Sequence, residues 1–191
     1  IDITETMGRK YDVVVTNPPY AGTAKLSDKL NGKVKLDYPN SKSDLSTVCM
    51  ERAIAMLKKH GYMTMINIPV WMFLSSYAKM REDIVNHNTL VNMLHCGRGI
   101  FGSDFGTTAF VIGKSFIDNY NGLYFRLFKS QSAVDPLEVK EKLFLDQKGR
   151  FVAKQNDFLR IPGTPIAYWL GENLISAFSN SSINNIGAAK Q

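Results

Sequence analysis

Residues 11–15, YDVVV, form a run that is apolar and β-branched apart from Asp12, the pattern of a strand buried on both faces of a parallel sheet. Two prolines follow in Asn17-Pro18-Pro19-Tyr20, and each removes a backbone donor and fixes φ, so the strand ends there. Ser43, Asp44 and Ser46 then offer helix N-caps ahead of LSTVCMERAIAMLKKHG, where Val48, Ala53, Ile54 and Leu57 fall at helical spacing. Lys58, Lys59 and Gly61 read as the C-terminal ending of that helix. YMTMINIP (62–69) predicts a second strand stopped by proline, residues 75–87 a second helix and residues 90–96 a third strand. TTAFVIGKSF and residues 123–128, separated by the turn-rich IDNYNG, predict an antiparallel pair. This alternation specifies an α/β sheet that finishes in antiparallel strands.

From about residue 130 the pattern changes. DPLEVKEKLFL predicts a short amphipathic helix, and the remainder is mixed and rich in Phe144, Phe151, Phe158, Tyr168, Trp169 and Phe178. Residues 1–129 are therefore expected to form one unit, and residues 130–191 the beginning of a second module that ends in the polar tail SNSSINNIGAAKQ.

Composition narrows the class. With 45% hydrophobic residues in 191, the chain can bury a real core. The longest apolar run, 63–74, is interrupted by Thr64, Asn67 and Pro69 and falls short of the roughly 20 residues of a bilayer span, so no membrane partner is expected. The opening IDITETMGRK has no apolar signal-peptide core, and Cys49 and Cys96 fit no secreted framework, so a reducing cytoplasmic setting is expected. A net charge of +6 favours a polyanionic partner. Lys25, Lys29, Lys33, Lys35 and Lys42 stand against only Asp28 and Asp37 directly after the NPPY segment, a stretch read as a mobile basic loop.

The rigid polar-aromatic loop lies beyond a strand's carboxyl end, where open α/β sheets bind ligands. An exocyclic amine such as adenine N6 is a poor nucleophile because its lone pair is delocalised into the ring. Two acceptors placed on its two hydrogens favour a pyramidal nitrogen and push electron density toward an incoming methyl group. The side-chain oxygen of Asn17 and the carbonyl of Pro18 are such acceptors, and the proline geometry holds both in place. Asparagine is no base at neutral pH, so its role is electrostatic orientation. Tyr20 would stack on a planar base swung out of its helix.

At these residues the chain resembles the S-adenosylmethionine-dependent amino-group methyltransferases, in particular the adenine-N6 DNA methyltransferases of the γ arrangement. DLSTVCMERAIAMLKKHGYMTMINIPVWMFLSS is similar to the family's next block, and GRGIFGSDFGTTAFVIGK to a later block that supplies an aromatic to the target-base pocket. The likeness covers residues 10–114 and, with IPGTPIAYWL, extends to the large methyltransferases of BREX (phage growth limitation) defence systems. The resemblance implies the C-terminal half of a Rossmann-like methyltransferase sheet that uses S-adenosylmethionine on double-stranded DNA, with base flipping, in phage defence or restriction-modification. It implies that Asn17 and Pro18 bind the amine, that Tyr20 stacks on the base, and that Phe101, or else Phe105, is the second stacking aromatic. Pro19, Leu45 and Cys49 fall where the family lines the cofactor's adenine pocket, Cys49 standing in place of a larger apolar side chain. Lys25, Lys29, Lys33 and Lys35 are the expected DNA contacts.

In this family the methionine end of the cofactor rests on a glycine-rich turn after the first strand, and an acidic residue after the second holds the ribose. Neither is visible here, so the chain is expected to be a fragment holding the target-amine half of the site, inactive alone, with an exposed sheet edge open to another copy. GRGIFG fits G-x-G-x-x-G, but loop and strand follow it where a dinucleotide site needs a helix. Glu138 and Lys140, with Asp118, suggest nuclease residues but read as a solvated helix face and a turn. His60, His87 and His95 lack metal-ligand spacing, and Val48 and His95 stand before the cysteines where cytosine-C5 chemistry needs proline. Two rival functions stay open: methylation of a protein glutamine amide, which also uses N-P-P-Y, and DNA recognition without catalysis.

Overall fold

The computed structural model describes residues 2–100, 105–130 and 133–179. The YDVVV run is the first strand, β1 (Tyr11–Thr16). A short helix, α1 (Ile3–Gly8), precedes it, capped by Asp2, whose carboxylate accepts the N–H of Thr4 at 2.8 Å. After the NPPY segment come α2 (Asp28–Asp37), α3 (Leu45–Met56), β2 (Leu57–Asn67), α4 (Ala78–His87), β3 (Thr89–Gly97), β4 (Thr107–Gly113) and β5 (Asn121–Arg126). The chain closes with α5 (Leu137–Leu145), β6 (Arg150–Lys154) and α6 (Glu172–Ser179). Among the described residues, no helix is long and apolar enough to cross a membrane.

The six strands form one sheet in the order β1-β2-β4-β3-β5-β6. β1 is parallel to β2 and β3 to β5, while β4 is antiparallel to both β2 and β3, and β6 is antiparallel to β5. β1, β2, β3 and β5 therefore share a direction, and their carboxyl ends lie along one edge. The expected antiparallel pairing of β4 with β5 does not occur, because β3 lies between them. Residues 114–120 are too long for a tight hairpin and pass the start of β3. There the Thr89 hydroxyl donates to Ser115 O at 2.6 Å and accepts the Ile117 N–H at 3.1 Å, directing β5 to the far side of β3.

Two boundaries also differ from the sequence pattern. LKKHG belongs to β2: α3 ends at Met56, Leu57 is already extended, and Lys58 bonds Asp12 of β1 at 2.8 Å. Gly61 is required by the close approach of the strands, since a Cβ there would lie 2.8 Å from Asp12 O and 3.0 Å from Tyr11 O. The basic stretch after NPPY is likewise ordered as α2. Ser27 caps it at Leu30 N, Lys33 pairs with Asp37 at 2.6 Å, and Val34 is buried. Gly32 and the sparse apolar positions hid this helix, whose stability comes from its cap, its ion pair and one buried valine.

The core is rich in methionine. Met50, Met63, Met65, Met72 and Met93 are all fully buried, with Trp71, Leu90, Phe110 and Tyr124. Phe158, Ile166 and Tyr168 pack into the same cluster, and β6 extends the same sheet. Buried polar side chains join these segments. Arg81 on α4 donates to the carbonyls of Trp71 (2.8 Å), Leu74 (2.7 Å), Gly163 and Thr164 (2.9 Å). Burial pulls its pKa down to about 10, which leaves it charged at neutral pH. Gln155 accepts the Leu90 N–H at 2.7 Å and donates to Val85 O and Asn88 O. Lys140, expected on a solvated face, is buried and donates to Cys96 O at 2.7 Å, so α5 is tied to the end of β3.

Arg81→Met would leave those carbonyls without donors. At about 1–3 kcal/mol for each buried group left unpaired, it is expected to destabilise the chain by about 3 kcal/mol or more. Urea denaturation checks this, and a loss under about 1 kcal/mol would show that the carbonyls find other donors. Gly61→Ala is expected to cost about 1–3 kcal/mol by forcing β1 and β2 apart. Hydrogen exchange should then rise first in β1, and uniform exchange across the sheet would contradict that account.

Candidate active site at the carboxyl end of the sheet

β1 ends opposite Met65, where Thr16 and Met65 are register partners, and the NPPY segment crosses the top of β1 and β2. Pro18 is buried, while Asn17 and Pro19 are exposed. Tyr20 folds back over the loop. Its hydroxyl lies 2.9 Å from Asn17 Oδ1 and 3.3 Å from Ile66 O, so one phenolic hydrogen serves two acceptors. Burial, with the Asp44 carboxylate adding to it, raises the Tyr20 pKa above its ordinary value, which keeps the phenol protonated and donating.

The loop's exit is fixed by α3. Leu45 N–H donates to Ala21 O at 2.8 Å, and Gly22 forms an isolated antiparallel bridge with Asp44. Asp44 itself caps α3 through Ser46 N at 2.8 Å. Its cap position was readable in the sequence, but its electrostatic influence on Tyr20, Cys49 and Tyr77 was not, because these residues meet only in the fold. α2 is thus an excursion that leaves and returns beside the loop.

The expected cofactor residues divide. Pro19 is exposed and Leu45 half-buried, and the Leu45 N–H bond to Ala21 O sets the start of α3 beside the end of the NPPY segment. Cys49, one helical turn beyond Leu45, packs against the core, and burial, then Asp44, raises its thiol pKa, so it is no nucleophile at neutral pH. Among the described residues, no strand runs through a glycine-rich turn into a helix, and the acidic side chain beside Leu45, Asp44, is buried and engaged in capping α3. Phe101 lies outside the described residues, and Phe105 is 70% exposed.

The four lysines are all exposed but do not share one surface. Lys29 and Lys33 lie one turn apart on α2, Lys35 points away from them by the helical period, and Lys25 lies on the preceding 3-10 turn Thr23–Lys25. The histidines are dispersed: His60 sits in a left-handed conformation in β2, His87 pairs with Asp83 at 3.0 Å, and His95 is buried. Among the described residues, no group of three His, Cys, Asp or Glu side chains is placed to hold a metal ion.

The outer face of β1 is also informative. Val14 packs on the core, but Val13 and Val15 are 56% and 74% exposed, and Tyr62, register partner of Val13, is 51% exposed. The run that reads as buried on both faces is covered here on only one.

Comparison with known proteins agrees with this geometry. Residues 2–101 match the family described as Eco57I restriction-modification methylase. The adenine-specific methyltransferase BrxX of Escherichia coli O9:H4 (strain HS) is 37% identical over 177 residues, covering 90% of this chain and 14% of the relative. The adenine-specific methyltransferase PglX of Lacticaseibacillus casei (strain Zhang) is 35% identical over 203 residues, covering all of this chain and 16% of the relative. The chain thus spans about a seventh of the length of these curated relatives. Among solved structures, a modification subunit of a putative type I restriction enzyme from Vibrio vulnificus YJ016 superposes with a TM-score of 0.58 at 13% identity, covering 78% of this chain and 34% of that one. A nuclease-deletion mutant of the Type ISP restriction-modification enzyme LlaGI, in complex with a DNA substrate mimic, gives 0.59 at 13% identity, covering 91% and 19%. These likenesses show the methyltransferase fold, and with the matched NPPY half of the sheet they establish that the chain belongs to the Eco57I restriction-modification methylase family.

Proposed function

We propose that this chain supplies the target-amine half of an S-adenosylmethionine-dependent adenine-N6 DNA methyltransferase, in a BREX-type or restriction-modification system that defends against phage. The observation that carries this reading is Asn17 Oδ1, held at the carboxyl end of β1 by the Tyr20 hydroxyl at 2.9 Å. A carbonyl oxygen has two lone pairs, so one stays free for a hydrogen of the amine. The Pro18 carbonyl takes the second hydrogen, and the buried proline ring fixes its direction. The Tyr20 ring gives a flipped adenine its stacking surface. S-adenosylmethionine, when bound, supplies the methyl group. Asn17 and Pro18 hold the amine nitrogen as it gains positive charge, and the surplus proton leaves to water after transfer.

Pro19 and Leu45 would hold the adenine of the cofactor, while its ribose and methionine require residues from another part of the protein. The exposed face formed by Val13, Val15 and Tyr62 supports this, since it is apolar surface that a covering element would bury. Such a cover, or a second copy of the chain, would approach along the free edge of β1. A DNA substrate places the enzyme in the cytoplasm, and Lys25, Lys29, Lys33 and Lys35 then serve as phosphate contacts on either side of α2.

In the full-length enzyme, Asn17→Ala is expected to lower methyl transfer by about a hundredfold or more with DNA binding nearly unchanged, because the acceptor acts mainly in the transition state. Unchanged turnover would remove Asn17 from the mechanism. Tyr20→Ala should weaken base capture, and a 2-aminopurine target with equal fluorescence in both proteins would count against stacking. Binding of duplex DNA should fall steeply with salt, whereas a protein-amide substrate predicts a shallow slope. The 191-residue chain alone should bind S-adenosylmethionine weakly by calorimetry, and submicromolar affinity would contradict the assignment of the ribose and methionine contacts to another part of the protein.

A further inference from the structure

A second cleft opens at the same edge of the sheet, several strands from NPPY. His95, Arg126, Phe128, Lys129 and Trp169 line a cavity of about 180 Å³ at the carboxyl ends of β3 and β5. Its charge is one-sided. Among the described residues, neither Arg126 nor Lys129 has an acidic partner, and Asp135 accepts only the backbone N–H of Lys129, at 3.0 Å. Arg126 is seated instead on an aromatic ring, with its guanidinium carbon 5.3 Å from the centroid of Phe151. A cation–π seat fixes the guanidinium while leaving its N–H donors to an anion.

The walls are aromatic. Phe128 meets His95 edge-on at 4.8 Å, and Trp169 packs against Tyr168 at 5.0 Å and Phe73 at 5.6 Å while keeping part of its surface open. Gly97 adopts φ +70, and a Cβ there would lie 2.7 Å from the Phe128 ring, so glycine lets that ring close the floor. His95 is 3.1 Å from the Tyr168 hydroxyl, and burial, then Arg126, lowers its pKa to about 4, so it adds no charge at neutral pH. Unpaired cations interleaved with aromatic faces match the chemistry of a nucleotide, whose phosphate takes the cations and whose base takes the ring.

Position favours a strand over a free nucleotide. β5 is four places from β1 in the sheet, about 19 Å at roughly 4.8 Å per strand, and both sites face the same edge. A DNA strand at about 3.4 Å per nucleotide covers that distance in about six nucleotides. We propose that this cleft binds one nucleotide of a DNA strand, its phosphate on Arg126 and Lys129 and its base against Trp169. This rests on the reading of NPPY as a site for a base drawn from DNA.

The chain has 2 tryptophans, and Trp71 is fully buried, so quenching of fluorescence by nucleic acid reports on Trp169. The 191-residue chain is titrated at low salt with a thymine octanucleotide, with thymidine monophosphate and with inorganic phosphate. The octamer is expected to quench, the mononucleotide to bind about tenfold more weakly, and phosphate to leave the signal unchanged. Arg126→Gln should weaken octamer binding about tenfold and the exposed Lys129→Gln about threefold, with near-ultraviolet circular dichroism confirming the fold. No quenching by the octamer, full affinity in both variants, or equal affinity for the mononucleotide overturns the proposal. Tyr20→Ala separates the two sites. Loss of 2-aminopurine capture in Tyr20→Ala with the Trp169 signal intact shows that the cleft binds independently of NPPY, whereas intact capture by the unsubstituted chain with no Trp169 signal overturns only the cleft.

Discussion

Buried backbone carbonyls must find donors, and in this chain a few long polar side chains meet that requirement across otherwise separate segments. Arg81 does so without any carboxylate, bonding Trp71 and Leu74 on its own side and Gly163 and Thr164 on the other. Gln155 joins β3 to the end of α4 in the same way. Removing the second partner from either arrangement would strand polar groups in an apolar core, a cost of about 1–3 kcal/mol for each. Residues 150–168 are therefore held to the sheet that carries the site. The aromatic cluster of Tyr124, Phe158 and Tyr168 fills the space these bonds define, with Tyr124 and Tyr168 stacked at 4.9 Å.

Much of the candidate site was legible because it is local. Asn17, Pro18, Pro19 and Tyr20 are consecutive, and the prolines dictate where β1 stops whatever the rest of the fold does. Strands 62–69 and 90–96 were legible for a similar reason, as apolar runs bounded by proline or glycine. What could not be read depends on residues distant in sequence. The placement of β4 between β2 and β3 rests on pairings such as Met65 with Phe110 and Met93 with Phe110, which no periodicity encodes. The start of β2 at Leu57 was hidden because LKKHG is a good helix ending in isolation, and only the backbone of β1 beside Gly61 decides otherwise. Lys140 reads as surface by residue type, yet the carbonyl of Cys96 draws it inward.

The site combines a stiff element with an open one. Pro18 is buried and the loop is anchored at Ala21 and Gly22, so Asn17 Oδ1 is positioned before any substrate arrives. Such preorganisation is what an electrostatic role demands, since an acceptor that had to be reoriented would lose much of its advantage in the transition state. The Tyr20 hydroxyl contributes by fixing the oxygen end of the amide, while 42% of Tyr20 stays exposed.

The sheet order also constrains the path by which the chain folds. β2 and β3 run parallel but are not neighbours, so their shared place stays empty until β4 emerges and enters it from the opposite direction. During synthesis the strands below the NPPY loop wait for residues some 40 positions later, as the bond from the Thr108 hydroxyl to Asn67 O at 3.0 Å illustrates. Closing such a gap is entropically slow, and a nascent chain halted before β4 exposes two unpaired strand edges at once. The β1–β2 floor of the site therefore keeps one open edge until β4 joins it, and a ribosome-bound intermediate would present it only partly paired.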